Sequence, residues 1–177
     1  VRDHNQGGTD ESHAVGFAMG GRFQVTDVEY GFPGLDCGLA DDSETGQKVR
    51  LYRASIMAGD ADSATLERRV ARSGSLVHKN IVPTVAAGRV GDSAFLAQVL
   101  VDGRRLVDHL ERRRAAERNF KKADVLNLMG HVINGMQYAR ERLQHGFFCP
   151  SNIYVLKTGR VQIAAYGFDT LRHGVHS

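Results

Sequence analysis

Apolar residues spaced mostly two apart make short β-type runs from Phe23 to Tyr30 and from Gln47 to Arg53, and each run is closed by glycine or acidic turn residues. A period of two predicts half-buried strands. Between them, Asp41-Asp42-Ser43-Glu44-Thr45-Gly46 has turn chemistry, so residues 23–53 read as antiparallel sheet. Asp62 and Ser63 then precede Leu66 and Val70, four apart, which predicts one helix ending before Ser73-Gly74. Two further strands are expected, Ile81 to Ala87 and Ala94 to Val101, about a turn at Gly88 to Asp92. After Asp102-Gly103 the period becomes helical: Leu106, Val107 and Leu110 fit a short helix. Val125, Leu128, Met129, Val132, Ile133, Met136, Tyr138 and Leu143 fit a long one beginning near Asp124. Two closing strands, Ile153 to Leu156 and Arg160 to Ala164, flank a turn at Lys157 to Gly159. Residues 1–20 carry several glycines without periodicity and read as a flexible lead-in. The order predicts an α+β domain of two lobes, without internal repeats.

The chain's 177 residues, 42% of them apolar, suffice for one globular domain with a core. A net charge of +3 leaves Lys and Arg spread among 20 acidic residues. The runs Arg112-Arg113-Arg114 and Lys121-Lys122 have no aromatic residues interleaved, so they read as a solvated helix face and loop, and no nucleic-acid partner is expected. Two cysteines, Cys37 and Cys149, form neither a disulfide framework nor a zinc site, which points to a reducing, cytoplasmic setting. Cys149, beside Phe147, Phe148 and Pro150, reads as a packing residue. The histidines are scattered without ligand spacing, so no metal is expected. No run reaches the roughly 18 apolar residues of a membrane span, so membrane attachment is expected only through segments outside this chain.

Several phrases, in order, resemble a bacterial serine/threonine protein kinase. Gly21-Arg22-Phe23-Gln24-Val25 resembles its first strand, and Gly46-Gln47-Lys48-Val49-Arg50-Leu51 the approach to the strand that carries the ATP lysine. His78-Lys79-Asn80-Ile81-Val82 resembles His-Pro-Asn-Ile-Val, and Phe95 to Leu106 resembles the strand, hinge and following segment. His145 to Asn152 resembles His-Arg-Asp-x-Lys-Pro-x-Asn, and Ala165-Tyr166-Gly167 stands where Asp-Phe-Gly follows. The resemblance implies a kinase-like two-lobe fold: an N-lobe over residues 21–101 with a five-stranded antiparallel sheet and one helix, and a reduced helical C-lobe over residues 102–177.

It also implies a dismantled active site. The Val-Ala-Ile-Lys phrase reads Val49-Arg50-Leu51-Tyr52, so Tyr52 replaces the phosphate-gripping lysine, and Arg53 should face the other side of the strand. The glutamate that pairs with that lysine falls near Arg69, which excludes the ion pair but allows Tyr52 a cation–π contact. Phe147 stands for the catalytic base, Cys149 for the lysine after it, and Ala165 for the magnesium aspartate. Across residues 30–38, where a glycine-rich phosphate loop is expected, Pro33 removes an amide donor and Asp36 adds like charge. Asn152 and His145 are retained and read as loop fasteners.

The expected function is that of a catalytically inactive, pseudokinase-like module that binds a protein partner or regulates an assembly, with no cofactor, within a larger signalling or cell-envelope protein. The alternative is a nucleotide-sensing switch that binds ATP without transferring phosphate, through the hinge near Val99 and Val101 and through Asn152. The chain ends about ten residues after Gly167, before the activation segment and the later kinase helices. Either the chain is a fragment of a longer polypeptide, or it is a reduced domain whose exposed helix faces, with Val125 to Leu143 foremost, are expected to be covered by a protein partner or a second copy.

Overall fold

The computed structural model describes residues 18–32, 35–55, 61–143, 145 and 148–168. Phe147, Pro33 and the lead-in through residue 17 lie outside the described residues. Strands β1 (Ala18–Met19), β2 (Phe23–Phe32), β3 (Leu35–Asp42) and β4 (Lys48–Ser55) precede helix α1 (Ala61–Ser73), and β5 (Thr84–Val90) and β6 (Ser93–Val99) follow it. These strands form one antiparallel sheet in the order β1-β2-β3-β4-β6-β5. The expected five strands are β2 to β6. The two-residue β1, counted above with the lead-in, pairs with Phe23 and Gln24 at one edge.

Three local corrections have physical causes. Residues 35–38, read as part of a phosphate loop, belong to β3, whose pairing with both β2 and β4 satisfies backbone groups a loop would leave exposed. Ile81 and Val82 are not the start of β5. Pro83 cannot donate to a ladder, and Ile81 instead bridges Ile163 in parallel, with Val82 N donating to the Ile163 carbonyl at 2.9 Å. Residues 103–105, where no element was expected, are a strand, β7 (Gly103–Arg105). Helix α2 runs from Leu106 to Ala115 and contains the expected Leu106, Val107 and Leu110.

The second half contains α2, α3 (Lys122–Arg140), a 3₁₀ turn at Pro150–Asn152, and β8 (Ile153–Leu156) with β9 (Val161–Ile163). The β7-β8-β9 ribbon and α3 enclose a cluster of Val132, Ala139, Leu143, Ile153, Val161 and Ile163. Close approach is possible because α3 presents Gly135, where a Cβ would stand 3.0 Å from the Asn80 carbonyl oxygen. Asn80 is fully buried and fixes this junction: its Nδ2 donates to the Val161 carbonyl at 2.7 Å, and its own carbonyl accepts from Ile163 N at 2.9 Å.

The Arg112 to Arg114 run occupies the last turn of α2, where cations complement the carbonyl end of the helix dipole. Arg113 lies over the Phe120 ring at 4.3 Å and donates to the Asn119 carbonyl, closing the connection to α3. Helix α3 starts at Lys122, two residues before Asp124, which falls in its first turn.

Apart from a cluster of Phe23, Val25, Ala40, Val49, Leu51 and Ala97 on the far side of the first sheet, the lobes share their cores. One cluster joins Leu35, Tyr52, Leu66, Val70 and Leu96 of the first lobe to Tyr154, Ala164, Ala165 and Phe168 of the second. Leu76 and Ile81, from the first half of the chain, belong to the cluster beneath α3.

Candidate functional site

Strand alternation on β4 decides which side chains meet the cleft between the lobes. Val49 and Leu51 face a cluster with Phe23, Val25, Ala40 and Ala97, on the far side of the sheet. Arg50, Tyr52 and Ala54 therefore share the side turned toward the second lobe. Arg53, on the side opposite Tyr52, pairs with Asp36 of β3 at 2.5 Å.

Tyr52 is 2% exposed and lies 6.4 Å, ring to ring, from Phe168. Burial drives its hydroxyl well above the usual tyrosine range, so the side chain is neutral at any physiological pH. It brings no cation to the place where the resembled phrase has a lysine. On α1, Leu66 and Val70 share its buried cluster, and Arg69 is half-buried beside Val70.

Ala165 is fully buried with a positive φ of 58°, and its N–H donates to Gln98 Oε1 at 3.1 Å. The backbone bend is formed by a residue with no metal ligand to offer. Two residues on, Gly167 has φ 100°, and a Cβ there would lie 3.0 Å from the Arg69 carbonyl oxygen, so only glycine fits under α1.

The loop ahead of β8 is fastened from below. The carbonyl of Ala164 accepts from His145 Nε2 at 2.8 Å, and His145 also packs 4.4 Å from the Tyr166 ring. Asn152 is buried; its N–H donates to the Cys149 carbonyl and its carbonyl accepts from Ala164 N at 2.8 Å. Cys149 is half-buried at the start of the 3₁₀ turn.

The open part of the cleft has a volume of about 250 Å³ and is bordered by Glu29, Tyr52, Arg105, Asp108, Glu111 and Asn152 among others. Its wall carries Glu29, Asp108 and Glu111, of which Glu29 is paired with Arg50 at 2.7 Å and Asp108 with Arg105, the one guanidinium of the wall, at 3.1 Å. Such a wall offers a polyphosphate no cation that is not already held by a carboxylate. Cys37, also at this wall, has its thiol pushed up to about 12 by burial, so it stays protonated and unreactive. Among the described residues no group of three or more His, Cys, Asp or Glu is placed to hold a metal ion.

Deeper in the cleft, the space beside the connector is filled by protein. Arg50 takes the place of the alanine in the resembled phrase. Its Nη2 pairs with Glu29 at 2.7 Å, its Nη1 donates to the Tyr154 hydroxyl, and its guanidinium lies 5.2 Å from the centre of the Tyr154 ring. The void left among Arg50, Val82, Gln98, Val99, Val101 and Tyr154 is only about 10 Å³, room for no more than one water. Val99 and Val101, the hinge positions considered for a nucleotide, thus face side chains. Asn152 borders the open cleft instead.

Sequence reasoning missed Arg50, Tyr154 and Gln98. A signal existed for Arg50, since period two places it on the face of Tyr52. Gln98 was marked only by its polarity within Phe95-Leu96-Ala97-Gln98-Val99.

Comparison with solved structures places this architecture. The chain is similar to the PknI kinase domain of Mycobacterium tuberculosis, with a TM-score of 0.74 and 21% identity over 88% of this chain and 62% of that one. A cysteine-to-alanine variant of that domain gives a TM-score of 0.75 at 21% identity, covering 89% of this chain and 63% of that one. A double mutant gives 0.73 at 22%, covering 88% and 64%. The fold is therefore that of a protein kinase, and the chain spans less than two thirds of the length of the domains it matches. No protein-family model matches the sequence. No curated protein matches it either.

Proposed function

We propose that this kinase-folded chain is non-catalytic and serves as a protein-binding or regulatory module in a larger signalling or cell-envelope protein, in a cytosolic setting. The observation that carries the reading is Tyr52: a buried, neutral phenol stands where the resembled phrase has its phosphate-binding lysine. Ala165 at the place of the metal carboxylate and a cleft wall whose one cation is already paired support it, because phosphoryl transfer depends on positioned positive charge. Each such contact is worth several kcal/mol of transition-state stabilisation.

The partner surface is assigned to α3. Leu126 is 62% exposed there, and Met129 and Ile133 are exposed on the same side of the helix, an apolar row that a protein partner or a second copy would cover. Among the described residues no helix is long and apolar enough to cross a membrane.

The deciding experiment is a thermal-unfolding series with ATP and Mg²⁺, run beside a radiolabelled phosphate-transfer assay on a general substrate protein. The melting temperature is expected to stay unchanged up to millimolar nucleotide, with no label incorporated. A saturable upward shift supports the nucleotide-sensing alternative, and label transfer ends the non-catalytic reading.

A further inference from the structure

Arg50 begins on the strand that carries Tyr52 and ends on the other lobe. Its side chain is 14% exposed, and a guanidinium that far from solvent requires partners. They come from both sides of the cleft: Glu29 of β2 supplies the counter-charge, and Tyr154 of β8 supplies a hydroxyl acceptor and a ring face. The contact stands directly beneath the connector between β6 and β7, with Val99 and Val101 packed alongside.

We propose that Arg50 is a built-in strut: it fills the slot beside the connector and holds the lobes at a fixed separation, a task that would otherwise fall to a bound ligand. Lobe orientation is then a property of the chain alone. This inference extends the binding-module reading by giving the module one standing shape. It concerns Arg50 and Tyr154, whereas that reading rests on Tyr52, so either can fail alone.

The fit is not optimal, since Arg50 Nε is buried without an acceptor among the described residues. An unbranched apolar replacement keeps the stem packed while removing the bond to Tyr154 and the ion pair with Glu29. A double-mutant cycle of Arg50→Met and Tyr154→Phe isolates the bond between those two residues. Each single change is expected to lower the melting temperature by roughly 3–6 °C. The double variant should lose clearly less than the sum.

Arg50→Ala, which also empties the slot, is expected to speed hydrogen exchange at the amides of residues 99–105 roughly ten-fold. Val25→Ala, a truncation on the far side of the sheet, serves as a control of comparable destabilisation and should leave those amides unchanged. Additive losses in the cycle overturn the strut. So does connector exchange that responds equally to Arg50→Ala and Val25→Ala. If Arg50→Ala does not fold, the cycle alone decides.

Discussion

Gln98 shows how one polar side chain can hold a junction of three segments. From β6 its Nε2 donates to the Val82 carbonyl at 3.0 Å, and its Oε1 accepts from Ala165 N at 3.1 Å. Both backbone groups sit in the interior, where an unpaired group costs about 1–3 kcal/mol. Gln98→Leu keeps the volume and removes both bonds, so a loss of about 2–5 kcal/mol is expected, read as a lower urea midpoint with an unchanged slope. A loss below 1 kcal/mol would show that those backbone groups find other partners. At this scale the sequence was readable where a residue fell at a named place in a motif. Tyr52 and Ala165 stand out by their places in the resembled phrases. Arg50 and Gln98 do not, because what matters for each is a partner some 100 or 70 positions away, and local pattern carries no such information. A buried carboxylate at position 165 would suit the left-handed backbone better than alanine does, yet would stand in the interior beside Gln98 and Phe168 without a cation.

The turn joining β3 to β4 is an element whose stability has a pH signature. Asp42 is shielded from solvent by the groups it binds: Arg22 Nε and Nη2 at 2.8 and 2.9 Å, Thr45 Oγ1 at 2.9 Å, and Glu44 N at 3.1 Å. The Arg22 guanidinium foremost, then Thr45 and the Glu44 amide, hold its carboxyl far below the usual carboxylate range, against the opposing effect of burial. A depressed folded value means that the unfolded chain takes up the proton first. The stabilisation is fully present above the unfolded carboxylate value near ~4 and is lost as pH falls from there toward the folded value. Acid titration of the melting temperature should therefore fall more steeply below about pH 4 in the native chain than in Asp42→Asn, with the two curves separating at neutral pH. Parallel curves would mean that the turn contributes nothing. Turn residues and strand alternation made β2, β4 and this turn legible in advance. Two features were not: the edge placed by Pro83, which hands Ile81 to β9, and β7, whose three residues are too few to show a period.

For the molecule as a whole, the two-lobe order was legible, because the shift from period two to the helical period after Gly103 is strong. The distribution of the core was not. Tyr154, Ala164 and Phe168 complete the first lobe's cluster, while Leu76 and Ile81 serve the second. Shared clusters predict one cooperative unfolding step: far-ultraviolet dichroism and tyrosine fluorescence should give coincident transitions, and the calorimetric and van't Hoff enthalpies should agree. Two resolved transitions would show that each lobe is held independently. The same sharing bears on how such a chain can be divided or recombined. A crossover at the connector would deliver two halves, each with an apolar wound where the other had been, and neither half could be inherited as a working part.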